Sequence, residues 1–393
     1  MGHPSNLLLP VNGEGIDDEQ LTFVAAVQAW TEREVFARRA KHRGDFDALV
    51  RPALRGLMRD LGLQAHLWSD SGGQTPREAA LTLALALEQV GRADVGLGFV
   101  ATSYLATTAA VRNQSPALRP PGLCTDADVI VSLVLPVVSP DAAPGQIAGR
   151  SMQATARLED QHYAIQGREM LPSGSGQDAT LFVVACSCGL LALPADAPGV
   201  RREATRQTGL EAARNARVWI DDARVDADAL ILSEPEGLRE LRTWRCLGLA
   251  ATCSGALLAG LEILQDWAAS RVIKGRGQRF VDNSLVADLM AQQVQRGTLV
   301  QIAVRDLARL LAREQDVTER THLTALTVAH HVAEQTEIAL DAVMQLMGSA
   351  GYATEWNLEQ YWRDVKTLRG HLGSQLLDRL QLARHCFGHG ARG

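Results

Sequence analysis

The sequence predicts a mainly α protein with a central β domain. Three observations predict it. Apolar residues recur at three- and four-residue steps over 17–111. Short β-branched runs, punctuated by proline and glycine, fill 116–225. From about 234 the pattern is helical again and poor in proline. The expected organisation is an N-terminal helical domain over 1–115, a middle β domain over 116–232 and a C-terminal helical bundle over 233–393. A chain of 393 residues suits two or three domains, at roughly 150 residues each.

Taken in order, Leu21, Val24, Ala25, Val27 and Trp30 mark a first helix. Leu54, Leu57, Met58 and Leu61 mark another, with Gly62 as its stop. Ser71-Gly72-Gly73 breaks the pattern before an alanine- and leucine-rich helix over 79–90. Strands are expected over 129–135, 163–166, 180–184 and 216–220. Helices over 247–270, 283–313, 322–347 and 372–386, joined by short loops, imply a four-helix bundle.

Composition narrows the function. An apolar fraction of 46% with 21% charged residues excludes a wholly disordered chain. A net charge of −6 leaves no electrostatic footprint for nucleic acid. The six cysteines fit neither a zinc ribbon nor a disulfide framework. Cys186 and Cys188 read as two buried thiols in a strand. The longest near-apolar stretch, 247–261, contains Thr252 and Ser254 and lies between Arg245 and Glu262. It reads as a buried helix, so no membrane span is expected. The N-terminus has no signal-peptide pattern, and a reducing cytoplasm is the expected compartment.

Several motifs read as structural. Gly96-Leu-Gly98 is half of a dinucleotide fingerprint, but it follows a helical pattern and reads as a packing pair. His330 and His331 are adjacent, point to different helix faces and cannot clamp one metal. No metal site is expected. His385-Cys386 and His389 sit in a tail expected to be disordered.

The C-terminal segment carries the strongest signal. It reads Gln345-Leu-Met-Gly348-Ser349-Ala-Gly351-Tyr352, then Glu355, then Arg363-Asp364-Val-Lys366, then Gly373-Ser374 and Ala383-Arg384. This resembles the acyl-CoA dehydrogenase family, whose stretch runs Gln-x-x-Gly-Gly-x-Gly-Tyr, Glu, Arg-Asp-Ala-Lys, Glu-Gly-Thr and Ala-Arg. Weaker matches follow in the same order along the chain. They are Asp60-Leu-Gly62 with Ser71-Gly72-Gly73, Glu88 to Asp94, Arg271 with Gly275, and Ala287-Asp288-Leu-Met290. Lys274 stands where the family has phenylalanine. The resemblance implies an N-terminal helical domain, a β-barrel-like middle domain and a C-terminal four-helix bundle.

It also implies a chemistry. In that family a carboxylate removes the α-proton of an acyl-CoA thioester while FAD takes the β-hydride. The base is usually the Glu of Glu-Gly-Thr, and that position here is Leu372. The alternative location, near the start of the first bundle helix, is Arg245 with Cys246 beside it. Neither location holds a carboxylate. His371, beside the vacant position, is the weak candidate for a displaced base.

The flavin-facing half of the family's pocket is altered as well. The loop Leu-Thr-Glu-Pro-x-x-Gly-Ser-Asp corresponds to 133–141. Val134 replaces a hydroxyl that bonds the flavin ring, and Ser139-Pro140 replaces Gly-Ser. The second flavin strand corresponds to 167–173. It lacks the aromatic wall but keeps a hydroxyl at Ser173, and Ser374 keeps that of Glu-Gly-Thr. The half that reaches a neighbouring subunit's cofactor is better kept, with Arg271, Gln345 and Gly348 present and Ser349 in place of the second glycine. An arginine fork suits a pyrophosphate.

Four readings stay open on these residues. One is a non-catalytic subunit in a homo- or hetero-tetramer with a catalytic acyl-CoA dehydrogenase, completing FAD sites in trans. Another is a self-sufficient acyl-CoA dehydrogenase with a displaced base. The others are a different flavin reaction, such as a monooxygenase or desulfinase, and a flavin-free binding protein.

Overall fold

The computed structural model describes residues 16–37, 47–63, 79–112, 123, 126, 128–139, 149–233, 236–273, 275, 277–314 and 316–388. Helix α1 (Asp18–Trp30) opens with a capping box. The Gln20 amide donates to the Asp17 carboxylate at 2.7 Å and the Asp17 amide to Gln20 Oε1 at 3.1 Å. It continues as a π turn (Thr31–Phe36). Helix α2 (Asp47–Arg55) likewise runs into a π turn (Gly56–Asp60) and stops at Gly62, whose φ is +71°. Helices α3 (Ala80–Ala93) and α4 (Val95–Arg112) follow, with the Leu97 amide donating to Asp94 Oδ1 at 2.8 Å. The Ser71-Gly72-Gly73 break lies outside the described residues.

The middle of the chain forms three sheets. The larger has five strands in the order β11 (Leu230–Ser233), β8 (Gly189–Pro194), β7 (Leu181–Cys186), β1 (Val131–Val134) and β6 (Ser173–Gly174). The second has β4 (Ala154–Glu159), β5 (His162–Met170), β10 (Ala216–Asp226) and β9 (Val200–Ala204). A short ribbon pairs β2 (Val137–Val138) with β3 (Arg150–Ser151). The expected strands are present, although 129–135 shortens to four residues. Cys186 is buried at the end of β7, but Cys188 is half-buried in the turn beyond it, not in the strand.

Five helices complete the chain: α5 (Glu236–Ser270), α6 (Ser284–Arg313), α7 (Glu319–Met347), α8 (Leu358–Leu372) and α9 (Gln375–Phe387). Two expectations are corrected. A separate helix occupies 358–372, where polar residues at both ends obscure the apolar face of Leu358, Tyr361, Val365, Leu368 and Leu372. The tail is also helical through His385 and Cys386 rather than disordered; His389 lies outside the described residues.

The apolar helix α5 is a core helix, long and apolar enough to cross a membrane but buried within the fold. Helices α3 and α4 approach it at backbone distance. A Cβ on Gly91 would lie 2.4 Å from the Thr252 carbonyl, and one on Gly98 would lie 2.7 Å from the Thr252 side chain. The Gly96–Gly98 pair is thus a packing device. Helices α5 and α7 run in the same direction: Thr243 meets His322, Cys253 meets Thr336, and Gly260 meets Leu340. Their C-terminal ends therefore emerge at the same pole of the bundle.

Candidate functional site

A cavity of about 750 Å³ opens where the five-stranded sheet meets the bundle. Strand pairing sets Ser173 opposite Leu133, and α4 clamps this edge through Ser103, whose hydroxyl donates to the Ser173 carbonyl at 3.1 Å. Leu133, Leu135, Val137, Val138 and Leu171 form an apolar wall. Arg150, Gln153, Ser173, Gln207, Arg245, Thr367 and His371 supply the polar groups. Among the described residues no aspartate or glutamate lines the cavity.

Arg245 reaches this wall from α5. Its Nε and Nη2 donate to Ser173 Oγ at 3.1 and 2.9 Å, and Nη2 donates also to the His371 carbonyl. The residue is 4% exposed. Burial pulls the guanidinium down to about 10, with Cys246 opposing and Arg242 adding, so it is charged at neutral pH. Burial raises the Cys246 thiol to about 11, which leaves it protonated and a poor nucleophile.

One turn earlier on α5, Arg242 donates to Asp378 at 3.3 Å. The same carboxylate takes Arg150 at 2.6 Å and lies 2.8 Å from His330 Nε2. Burial opposes its ionisation, but the His330 hydrogen bond and the charges of Arg242 and Arg150 hold Asp378 below the usual carboxylate range. Arg150 also lines the large cavity, so this cluster backs one of its walls. His331 is exposed and takes no part.

The residues singled out in the sequence divide into three groups. His371 and Ser173 line the cavity, as does Ser374. Leu372 does not. It ends α8 in the apolar core at 5% exposure, while its neighbours His371 and Gly373 turn to the cavity. Val134 is corrected too. Strand alternation turns it into the core between the sheets, and Leu133 and Leu135 are the residues that reach the cavity. Ser374 is a helix cap, its Oγ accepting from the Leu377 amide at 3.3 Å.

The third group lies elsewhere. Arg271 follows the last residue of α5 and is exposed; Gln345, Gly348 and Ser349 are exposed at the end of α7. Gln345 Nε2 donates to Tyr352 Oη at 3.3 Å. The parallel run of α5 and α7 brings these residues to one pole. Arg271 is about 26 residues along α5 from Arg245, about 39 Å along the axis. No single compact group touches both sets in one chain.

His371 is a poor base. Its ring lies 4.7 Å from that of Phe99, tilted by 56°, and burial, with Arg245, lowers its pKa to about 4. A general base works best with a pKa near the operating pH. The sequence reading missed Arg150, Gln153, Gln207 and Thr367 as wall residues. They come from three separated segments, around 150–153, 207 and 367, and no local pattern joins them.

The three-part fold, with its pocket between sheet and bundle, defines a class. Residues 242–387 match the acyl-CoA dehydrogenase C-terminal domain. A probable acyl-CoA dehydrogenase of Bacillus subtilis, YngJ, is 24% identical over 83% of this chain and 87% of its own length. The structure of a glutaryl-CoA dehydrogenase from Mycobacterium smegmatis, in complex with FADH2, superposes with a TM-score of 0.79 at 16% identity, covering 98% of both chains. An acyl-CoA dehydrogenase from Geobacillus kaustophilus gives 0.74 at 21% identity, over 94% of this chain and 98% of its own. Residues 242–387 thus carry the acyl-CoA dehydrogenase C-terminal domain, and the chain as a whole is similar in sequence and fold to acyl-CoA dehydrogenases.

Proposed function

We propose that this chain is a non-catalytic subunit of an FAD-dependent acyl-CoA dehydrogenase assembly, completing a neighbour's cofactor site. One observation carries the reading: among the described residues the cavity holds no carboxylate, and both places where relatives keep the base are filled by Leu372 and Arg245. A pocket with a buried guanidinium and a weakly basic imidazole is built to hold negative charge, not to take an α-proton.

FAD enters through the family and through the neighbour solved with FADH2. The fit to this chain divides in two. The ring-gripping hydroxyls are reduced to Ser173, which already accepts from Arg245, and Val134 faces the core. Arg271, Gln345, Gly348 and Ser349 are exposed and free to meet a pyrophosphate presented by another subunit. When bound, FAD supplies the hydride acceptor; this chain supplies donors to its phosphates.

Association with another subunit has a surface to use. Leu285, Leu289, Leu299 and Ile302 on α6, with Ile338 on α7, are exposed at 41–76%. Such an apolar surface suits a subunit interface. The expected compartment is the cytoplasm, and the expected substrate of the assembly is an acyl-CoA thioester.

Co-expression with a base-bearing acyl-CoA dehydrogenase of the same organism tests the proposal. The expected result is a co-purifying complex with more bound flavin and faster acyl-CoA oxidation than the partner alone. If the partner alone binds FAD fully and turns over at the same rate, the trans role is lost. The absorption spectrum of this chain alone should show little flavin.

A further inference from the structure

Cys186-Ser187-Cys188-Gly189 sets two thiols one residue apart. In the fold Cys186 ends β7 and pairs with Gly189 of β8, which leaves Ser187 and Cys188 as the hairpin turn. A turn holds the Cα atoms of such neighbours closer than the roughly 7 Å of an extended chain, within the range that a disulfide spans. Both side chains meet one apolar cluster between the sheets: Cys186 is buried in it, and Cys188, half-buried, packs against it. No other described cysteines share this arrangement. Cys246 and Cys253 lie about 10 Å apart along the axis of α5, and Cys386 is exposed on α9.

The turn has no slack. Gly189 has a φ of +137°, and a Cβ there would lie 2.1 Å from the Leu232 carbonyl. Gly189 also pairs with Ser233 of β11, an edge strand whose pairing with β8 shifts register between Leu230 and Leu232. Strand β11 leads into α5, the helix of Arg242 and Arg245. A movement that draws Cys188 toward Cys186 is therefore felt first by β11.

We infer that Cys186 and Cys188 are a site of reversible oxidation, forming a disulfide by exchange with glutathione disulfide and loosening β11 as the ring closes. Cys188, the more accessible sulfur, attacks as its thiolate. The glutathione S–S bond breaks, a mixed disulfide forms on Cys188, and one glutathione leaves with the proton that Cys188 gave up. Cys186 then attacks the Cys188 sulfur and expels the second glutathione, which takes the Cys186 proton. Two protein thiols are oxidised to one disulfide, and one glutathione disulfide is reduced to two thiols. Burial pushes the Cys186 thiol up to about 12, so about one molecule in 10⁴ carries its thiolate at pH 8. Attack within the chain offsets this, since well-oriented intramolecular reactions reach effective concentrations of roughly 10⁵ M or more. A ring closed over one intervening residue is strained, and a strained disulfide is readily reduced again. This chemistry needs neither flavin nor a partner subunit.

Incubation of the purified full chain with glutathione disulfide at pH 8, then alkylation and peptide mass mapping, tests it. The expected product has Cys186 and Cys188 joined within one peptide, Cys246 and Cys253 still thiols, and glutathione on Cys386. Cys186→Ser should stop the reaction at the mixed disulfide on Cys188, and Cys188→Ser should leave Cys186 a thiol. In the oxidised wild type, amide hydrogen exchange over 230–233 should be at least about threefold faster, and dithiothreitol should restore it. Glutathione retained on wild-type Cys188, a disulfide between two chains, or both thiols untouched after Cys386 has reacted overturns the inference. So does a disulfide that leaves exchange in β11 unchanged. The wild-type product stands even where a variant folds poorly.

Discussion

Arg242 and Arg245 leave α5 one turn apart and end in different surroundings. Arg242 joins Arg150 and His330 around Asp378, a cluster whose hydrogen bonds and charges are internal. Arg245 sits deeper, at 4% exposure, but faces a cavity, with a hydroxyl and a carbonyl as its partners. The difference teaches how to tell a structural buried charge from a functional one. A structural cluster closes on itself; a functional one leaves donors for something else.

The strongest way to break this comparison is to remove Asp378. Asp378→Ala strands Arg150 and Arg242 and should cost about 3–5 kcal/mol, read as a large drop in the denaturant midpoint. A shift below about 1 kcal/mol would mean the cluster is not closed. Next comes Leu372→Glu, which places a carboxylate in the apolar core. It should destabilise by roughly 2–4 kcal/mol and give no reduction of added flavin by acyl-CoA. Reduction would show that the glutamate reaches the cavity.

His371 gives an intermediate effect through pH. Its folded pKa of about 4 lies below the ordinary value, so the unfolded chain binds the extra proton between about pH 6.5 and 4. Stability is complete above that window and falls through it, by roughly 2–3 kcal/mol. His371→Asn should flatten the slope there, leaving the later loss below about pH 4 as Asp378, whose pKa is depressed, takes up its proton. An unchanged slope would place the imidazole in water. Arg245→Met should be close to neutral in stability or favourable, by about 1 kcal/mol, because no carboxylate loses its partner. A loss as large as that of Asp378→Ala would erase the distinction between the two arginines. Arg271→Ala should move stability by less than about 0.5 kcal/mol, as an exposed substitution does. Its effect should appear only as lost flavin in the co-expressed complex.

The α–β–α order was legible because each segment carries its own periodicity, and strands such as β7 and β10 lie where β-branched residues cluster. The helix over 358–372 was not, because its apolar face shares a short segment with Arg363, Lys366 and Arg369. At the site, Leu372 was legible by register alone, which needs no geometry. Its burial was not, since a chain position says nothing of which way a helix end turns. Val134 failed for the same reason: one residue along a strand changes its face. Arg245 was visible only as a missing base, because its partners Ser173 and His371 come from distant segments.

The common direction of α5 and α7 has a stoichiometric consequence. It puts Arg271 and Gln345 at the opposite pole from the cavity. On the trans role proposed above, a twofold pairing with a base-bearing relative sets each chain's pole against the other's pocket. Such a pair assembles one working flavin centre for every two polypeptides.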